Sequence, residues 1–198
     1  ATASLTFTGF PPGGGQSCQK PEIAAHRVAA ATVFRYAARA LTEVRMQDLK
    51  QFVVDIPDFP QPGILFRDIS PLLRRHFAAT VHSIENLFTE QEWEAVDAVA
   101  GIESRGFILA AALAERRGKG FVPIRKKGKL PPPVVDIAYD LEYGTGVLEM
   151  QAGQGRLLLV DDVLATGGTL AASMVLSRQA GYVVQGIGVL IDIGIAPG

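Results

Sequence analysis

The chain reads as an α/β protein: a central, mostly parallel sheet flanked on both faces by helices. Three observations lead there. Apolar runs of strand length alternate with stretches of helical spacing from residue 46 to residue 193. Several of these runs, Val96 to Ile102 and Leu157 to Val160 among them, are apolar at nearly every position, the pattern of strands covered on both sides. The composition, 48% hydrophobic and 20% charged over 198 residues, suits a chain that buries a sizeable core and argues against disorder or membrane residence.

The elements follow in order. Gln47 to Val54 reads as a short first helix, ended by the proline-rich stretch Ile56 to Gly63. Ile69 to Phe88 carries helical spacing, and Val96 to Ile102 is a strand. Phe107 to Glu115 is an alanine-rich helix and Gly120 to Ile124 a strand. Gly128 to Gly146 is a long loop or hairpin region, followed by a strand over Val147 to Gln151. Leu157 to Val160 forms the next strand, a helix opens at Leu170, and Val183 to Ile193 is the last apolar strand. No internal repeat is evident.

Residues 1–45 differ from the rest. They hold five Lys or Arg (Lys20, Arg27, Arg35, Arg39, Arg45) against Glu22 and Glu43, leaving a net charge of −4 for the remainder. Three readings stand for this basic leader: a disordered, Arg-rich transit-like segment in which Val28 to Val44 forms an amphipathic helix, sequence upstream of a true start at Met46, or a folded extension. The expected domain spans 46–198. The overall net charge of −1 gives no reason to expect nucleic acid, and no apolar run is long enough to cross a bilayer. Cys18 is the single cysteine, which excludes an intrachain disulfide and makes a reducing cytosol the natural home. An organelle remains open on the transit-like reading. His26, His76 and His82 lie outside every motif.

The most informative stretch is Arg156 to Leu170, RLLLVDDVLATGGTL. An apolar strand delivers Asp161 and Asp162 to its carboxyl end, the edge at which open α/β sheets bind ligands. Two carboxylates there need hydroxyls, water or a metal. Ala165, Thr166, Gly167, Gly168 and Thr169 then lack bulk, so backbone N–H groups can approach an anion closely, and the following helix turns its positive end toward it. The plain alternative is a strand, an Asx turn and a glycine-containing helix entry.

As a whole the stretch resembles the phosphoribosyl-diphosphate motif of type I phosphoribosyltransferases. That resemblance implies the fold of this family, with a small hood and a flexible catalytic loop. It also implies that Asp161 and Asp162 take the ribose 2′- and 3′-hydroxyls while residues 165–169 cradle the 5′-phosphate. Four further segments narrow the likeness. Pro57 to Pro60 with Gly63 to Ser70 resembles the adenine-binding hood of adenine phosphoribosyltransferases. Phe66 would stack on the purine while the Leu65 carbonyl and Arg67 N–H read its edge; the plain reading packs Phe66 in the core and pairs Arg67. Val99 to Phe107 is similar to the diphosphate loop, in which Glu103, Ser104 and Arg105 meet the diphosphate and a non-proline cis peptide falls near Glu103 and Ser104. Without that likeness, Glu103 and Ser104 merely cap a helix. Arg125, Lys126, Lys127 and Lys129 form a basic run suited either to solvent or to neutralising the diphosphate, Arg125 and Lys129 being the candidates. Tyr139 to Gly144 resembles the mobile catalytic loop, with Glu142 handling the purine proton and Tyr143 closing or orienting the site.

The implied reaction is purine salvage: transfer of the 5-phosphoribosyl group from phosphoribosyl diphosphate to adenine, giving AMP and diphosphate. Arg105, Glu142 and Tyr143 would be catalytic, with Mg2+ held mainly through the substrate, in a cytoplasmic homodimer with no nucleic-acid or membrane partner. Two other readings stand: a transferase for xanthine, hypoxanthine or guanine, or a non-enzymatic sensor of phosphoribosyl diphosphate. The sequence departs from the family pattern at Pro131 to Pro133, in the short connection Gln151 to Gly155, at Leu109 and Ala110, and at Ile195 to Gly198, where the domain reads as truncated.

Overall fold

The structure, a computed structural model, describes residues 34–36, 49–141 and 144–194. Its strands are β1 (Phe34–Tyr36), β2 (Val54–Pro57), β3 (Leu65–Asp68), β4 (Ala98–Ile102), β5 (Gly120–Lys126), β6 (Val134–Leu141), β7 (Gly144–Gln151), β8 (Gly155–Leu164) and β9 (Tyr182–Asp192). Its helices are α1 (Ser70–Arg75), α2 (Phe77–Glu85), α3 (Glu90–Glu94), α4 (Arg105–Arg116) and α5 (Gly168–Gln179). Seven strands form one sheet in the order β1-β9-β8-β4-β5-β7-β6, and β2 pairs with β3 in a separate hairpin. Pairings from β1 through β5 are parallel, and β7 and β6 add antiparallel strands at one edge, as a mostly parallel α/β sheet requires.

Strand β8 shows why its run is apolar throughout. Successive side chains of a strand point to opposite faces. Leu157 and Leu159 join Ala100, Ile102 and the α5 residues Leu170, Met174 and Leu176 in one core. Leu158 and Val160 join Val99, Trp93 and the α4 residues Leu109, Ala110 and Leu113 in the other. Both faces are therefore dry. Each such leucine contributes roughly 1.5–3 kcal/mol of burial. Helix α4 lies unusually close to the sheet, because a Cβ at Gly101 would meet the Ala110 Cβ at 2.8 Å and the Gly106 carbonyl at 3.0 Å.

Three elements differ from the sequence reading, and a fourth takes one of the two forms that reading allowed. Of the expected helix over Gln47 to Val54, residues 47 and 48 lie outside the described residues, and the rest forms a 3-10 turn, Leu49–Phe52, after which Val54 enters β2. Alternation of Val54 and Ile56, with β-branched Val53 before them, favours the extended chain. The helical stretch Ile69 to Phe88 is broken at His76, which leaves helical geometry at φ −131° and separates α1 from α2. The region Gly128 to Gly146 resolves as a hairpin, β6 pairing with β7 from Val134↔Gln151 to Leu141↔Gly144. Within the leader, Phe34–Tyr36 runs parallel to Ile187–Val189 of β9, where the sequence allowed a helix.

Candidate active site

The site forms where two neighbouring strands part. Strand β8 pairs with β4 only from Leu157 to Val160, but stays paired with β9 as far as Leu164. Beyond Ile102 the chain turns toward β5, the Glu103 N–H donating to the Ile124 carbonyl at 2.9 Å. The crevice so opened receives Asp161 and Asp162, only 9% and 8% exposed. Asp162 donates its N–H to Asp161 Oδ1 at 3.0 Å. Burial, reinforced by the Asp162 charge, pushes the Asp161 carboxyl well above the ordinary carboxylate range.

Arg105 closes this crevice from the opposite wall. It opens α4 beside Gly106, where a Cβ would meet Asp161 Oδ1 and the Val160 carbonyl, each at 2.9 Å. That close approach brings the guanidinium onto the acids: Nη2 stands 2.7 Å from Asp162 Oδ2. The approach is off the hydrogen-bonding line, and Asp162 Oδ2 remains a buried oxygen without a hydrogen bond. Arg105 Nη1 donates to the Arg67 carbonyl at 3.3 Å, and its carbon lies 4.8 Å from the centre of the Phe66 ring. One side chain thus touches both the acid pair and the hood.

The hood is the β2–β3 hairpin. Its turn is held by Asp58, whose carboxylate accepts the Gly63 N–H at 2.7 Å, and by the Phe59 N–H donating to the Ile64 carbonyl at 3.2 Å. Leu65 is exposed. Phe66 is half-buried and meets Phe59 edge-on at 5.1 Å, and the Arg67 side chain pairs with Asp55. The plain reading holds for the Arg67 side chain, while its carbonyl accepts from Arg105.

A second cluster lies on the other side of Arg105. Glu103 does not cap α4, whose N-cap, Ser104, makes no side-chain cap hydrogen bond either. Instead the Glu103 carboxylate accepts from Arg125 Nε at 3.3 Å and from the Lys126 N–H at 3.1 Å, and pairs with Lys129. Burial pushes Glu103 up, but hydrogen bonds from Lys129, the Lys126 N–H and Arg125 outweigh it and hold the carboxyl below its usual range. The Glu103–Ser104 peptide is cis, as the resemblance implied.

Residues Ala165 to Thr169 line a concavity of about 70 Å³ at the start of α5. Gly167 sits at φ +82°, a conformation that L side chains rarely adopt, so glycine is required there by backbone geometry. No side chain caps α5, and its first amides are left to a ligand or water. A larger hollow of about 320 Å³, lined by Trp93, Arg116, Arg117 and Lys119, lies at the far end of α4. Its arginines are already paired with Glu85 and Glu90, which sets it apart from the chemistry.

The structure thus brings together Asp161, Asp162, Arg105, Phe66 and the Arg67 backbone, and separately Glu103, Arg125 and Lys129, the two groups being joined through Ser104. Glu142 and Tyr143 lie outside the described residues. Sequence reasoning passed over Glu149 and the close approach of Gly106 to Asp161. Gly106 was visible only as a small residue after Arg105; Glu149 was visible as a lone charge inside the apolar strand Val147 to Met150. Among the described residues, no group of three His, Cys, Asp or Glu is arranged to hold a metal, and no helix is long and apolar enough to cross a membrane.

Residues 74–195 match the Phosphoribosyl transferase domain family. The adenine phosphoribosyltransferase of Bdellovibrio bacteriovorus is 53% identical over 146 residues, 74% of this chain and 88% of that protein. The crystal structure of adenine phosphoribosyltransferase from Rhodothermus marinus superposes with a TM-score of 0.68 at 44% identity, covering 76% of this chain and 88% of the other. The Saccharomyces cerevisiae enzyme, solved with adenine and an imino-altritol bisphosphate, gives a TM-score of 0.68 at 34% identity over 75% and 88% of the two chains.

Proposed function

Because the chain belongs to the adenine phosphoribosyltransferase family, we propose that its crevice carries out that family's reaction with the residues just described. The enzyme moves the 5-phosphoribosyl group from phosphoribosyl diphosphate to N9 of adenine, giving AMP and diphosphate, a step of purine salvage. The observation that carries the residue assignment is Arg105, placed against Asp162 on one side and against Phe66 on the other.

Asp161 and Asp162 take the ribose 2′- and 3′-hydroxyls. Hydrogen bonds to a charged acceptor are worth about 1.5–3 kcal/mol each, so each aspartate supplies roughly tenfold to a hundredfold in affinity. The Ala165 to Thr169 loop and the start of α5 hold the 5′-phosphate, to which Gly167 opens the backbone. Phe66 stacks on adenine, and the main chain at Leu65 and Arg67 reads its edge, which the Asp58-locked turn keeps in place. On the far side of the ribose, Arg105, Arg125 and Lys129 face the diphosphate. Positive charge grows on the ribose and negative charge on the departing diphosphate, so donors and cations already in position stabilise the transition state more than the ground state. Glu142 exchanges the purine proton and Tyr143 helps exclude water.

The acid pair also fits Mg2+. A buried carboxylate oxygen without a hydrogen bond, beside a second carboxylate, is hard-oxygen chemistry, and two acids without a third ligand suit an ion that arrives with water and substrate oxygens of its own. Held there, Mg2+ would supply charge neutralisation on the diphosphate.

Incubation of the chain with adenine, phosphoribosyl diphosphate and Mg2+, with hypoxanthine and guanine in parallel, tests this reading by chromatography. AMP from adenine and no product from the other bases is expected. IMP or GMP as the main product would overturn the base assignment, and no product from any base would overturn the reaction.

A further inference from the structure

We propose that Glu149 is a positioning residue for phosphoribosyl diphosphate: its buried carboxylate gathers the backbone of residues 128–130 and thereby sets where Lys129 and Arg125 stand on the diphosphate side of the site. The inference rests on the reaction proposed above and deepens it.

Glu149 lies on β7, opposite Arg125 of β5 and Asp136 of β6, and is 2% exposed. A carboxylate withdrawn from water must have its lone pairs filled. Three backbone donors occupy three of its roughly four acceptor sites. Gly128 donates to Oε2 at 2.9 Å, and Lys129 and Leu130 both donate to Oε1 at 2.7 Å. Gly128 stands at φ +84°, which turns successive amides toward the same side and makes the concave arrangement of N–H groups that binds anions. Here the anion is the chain's own. The Gly128 N–H, followed by those of Lys129 and Leu130, holds the carboxyl below its usual range, so it stays ionised at neutral pH.

Two cations meet at this turn, Lys129 within it and Arg125 reaching it from β5. Lys129 pairs with Glu103, while Arg125 donates to the Lys129 carbonyl at 3.1 Å and to Glu103 at 3.3 Å. Glu103 is two residues from Arg105. Glu149 therefore fixes the main chain, the main chain fixes the two cations, and the cations reach the loop that meets the diphosphate. Electrostatic stabilisation depends on charges held in place beforehand, and a basic loop free to wander would lose that advantage.

The test is titration calorimetry of the full chain with phosphoribosyl diphosphate and Mg2+, with AMP formation measured beside it. In Glu149→Gln the amide group must turn donors toward donors. The Kd for phosphoribosyl diphosphate is expected to rise about tenfold, with the KM for adenine within about twofold of wild type. A merely structural role would move both constants together with the melting temperature.

A double-mutant cycle with Lys129→Met separates the routes: if Glu149 acts through Lys129, the double variant binds little worse than Lys129→Met alone. Additive losses, or an unchanged Kd in Glu149→Gln, overturn the proposal. Should Glu149→Gln fail to fold, Glu149→Asp is read in its place, with a weakening of about threefold expected and an unchanged Kd again decisive against it. A wild-type chain that binds the sugar diphosphate but makes no AMP sinks the reaction while leaving the Glu149 result readable in Kd. One that does not bind it overturns both.

Discussion

Arg105 reaches across the crevice to Asp162, Nη2 to Oδ2 at 2.7 Å, and this ion pair ties the start of α4 to the end of β8. The rest of the guanidinium plane serves the hood, through Phe66 and the Arg67 carbonyl. Arg105→Lys keeps the charge but has neither a flat face for Phe66 nor a second nitrogen for the carbonyl. Calorimetry is expected to give a Kd for phosphoribosyl diphosphate weaker by about tenfold. Wild-type affinity would mean that charge alone matters here.

Asp161 sets stability against binding. Burial and the neighbouring Asp162 raise its carboxyl well above the ordinary value of 3.8. A carboxyl raised in the folded state favours folding most below its unfolded pKa, and this contribution is lost as pH rises through the folded value. At neutral pH the wild type therefore carries a penalty that Asp161→Asn removes. The melting temperature of Asp161→Asn is expected above that of wild type at pH 7, with the gap closing toward pH 4. Affinity for the sugar diphosphate falls by roughly tenfold to a hundredfold in the same variant. A lower melting temperature at pH 7 would contradict this account.

Gly106→Ala probes the close approach of α4 to β8. Its Cβ would stand 2.9 Å from both Asp161 Oδ1 and the Val160 carbonyl, and the latter is main chain that cannot rotate away. Overpacking of this kind costs about 1–3 kcal/mol. Thermal unfolding should show a drop of several degrees, and weaker binding of the sugar diphosphate should accompany it as Arg105 is displaced. A variant of unchanged stability would show that α4 can shift freely.

Asp97 gives a pH signature remote from the crevice. Arg156 reaches it with Nη2 at 2.7 Å, with Nε at 3.0 Å and with its N–H at 2.8 Å, and these contacts, the side chain first, lower its carboxyl from 3.8 to about 2. A depressed carboxyl contributes stability that is present above its unfolded pKa and lost as pH falls through the folded value. The difference in melting temperature between wild type and Asp97→Asn should be constant above pH 5 and shrink between pH 4 and pH 2. A gap that persists to the lowest pH would assign the effect to packing.

What the sequence made legible depended on range. The strand and acid pair at 157–162, the anion loop and the alternation of strands and helices are local patterns, and they stand where composition placed them. The hood was legible through the resemblance and its proline-marked turn, but not as the β2–β3 hairpin it forms. What could not be read is contact across the chain. Nothing local says that Arg105 lies over Phe66, 39 residues earlier, or that Glu149 will serve amides some twenty residues before it. The break at His76 was hidden because its neighbours keep helical spacing on both sides, and the weak period in Gln47 to Val54 yielded to pairing with β3.

Glu103 carries a consequence for how the loop meets solution. Its two oxygens already satisfy Arg125, Lys129 and the Lys126 N–H. The basic run thus comes with an internal counterion, and an arriving anion enters by exchange rather than by simple addition. A small monoanion offers little that the carboxylate does not, whereas a diphosphate brings more acceptor oxygens and more charge than it must displace. Exchange of one paired anion for another also releases fewer ions from solution than the filling of an open basic mouth, so affinity at this locus should respond only weakly to ionic strength.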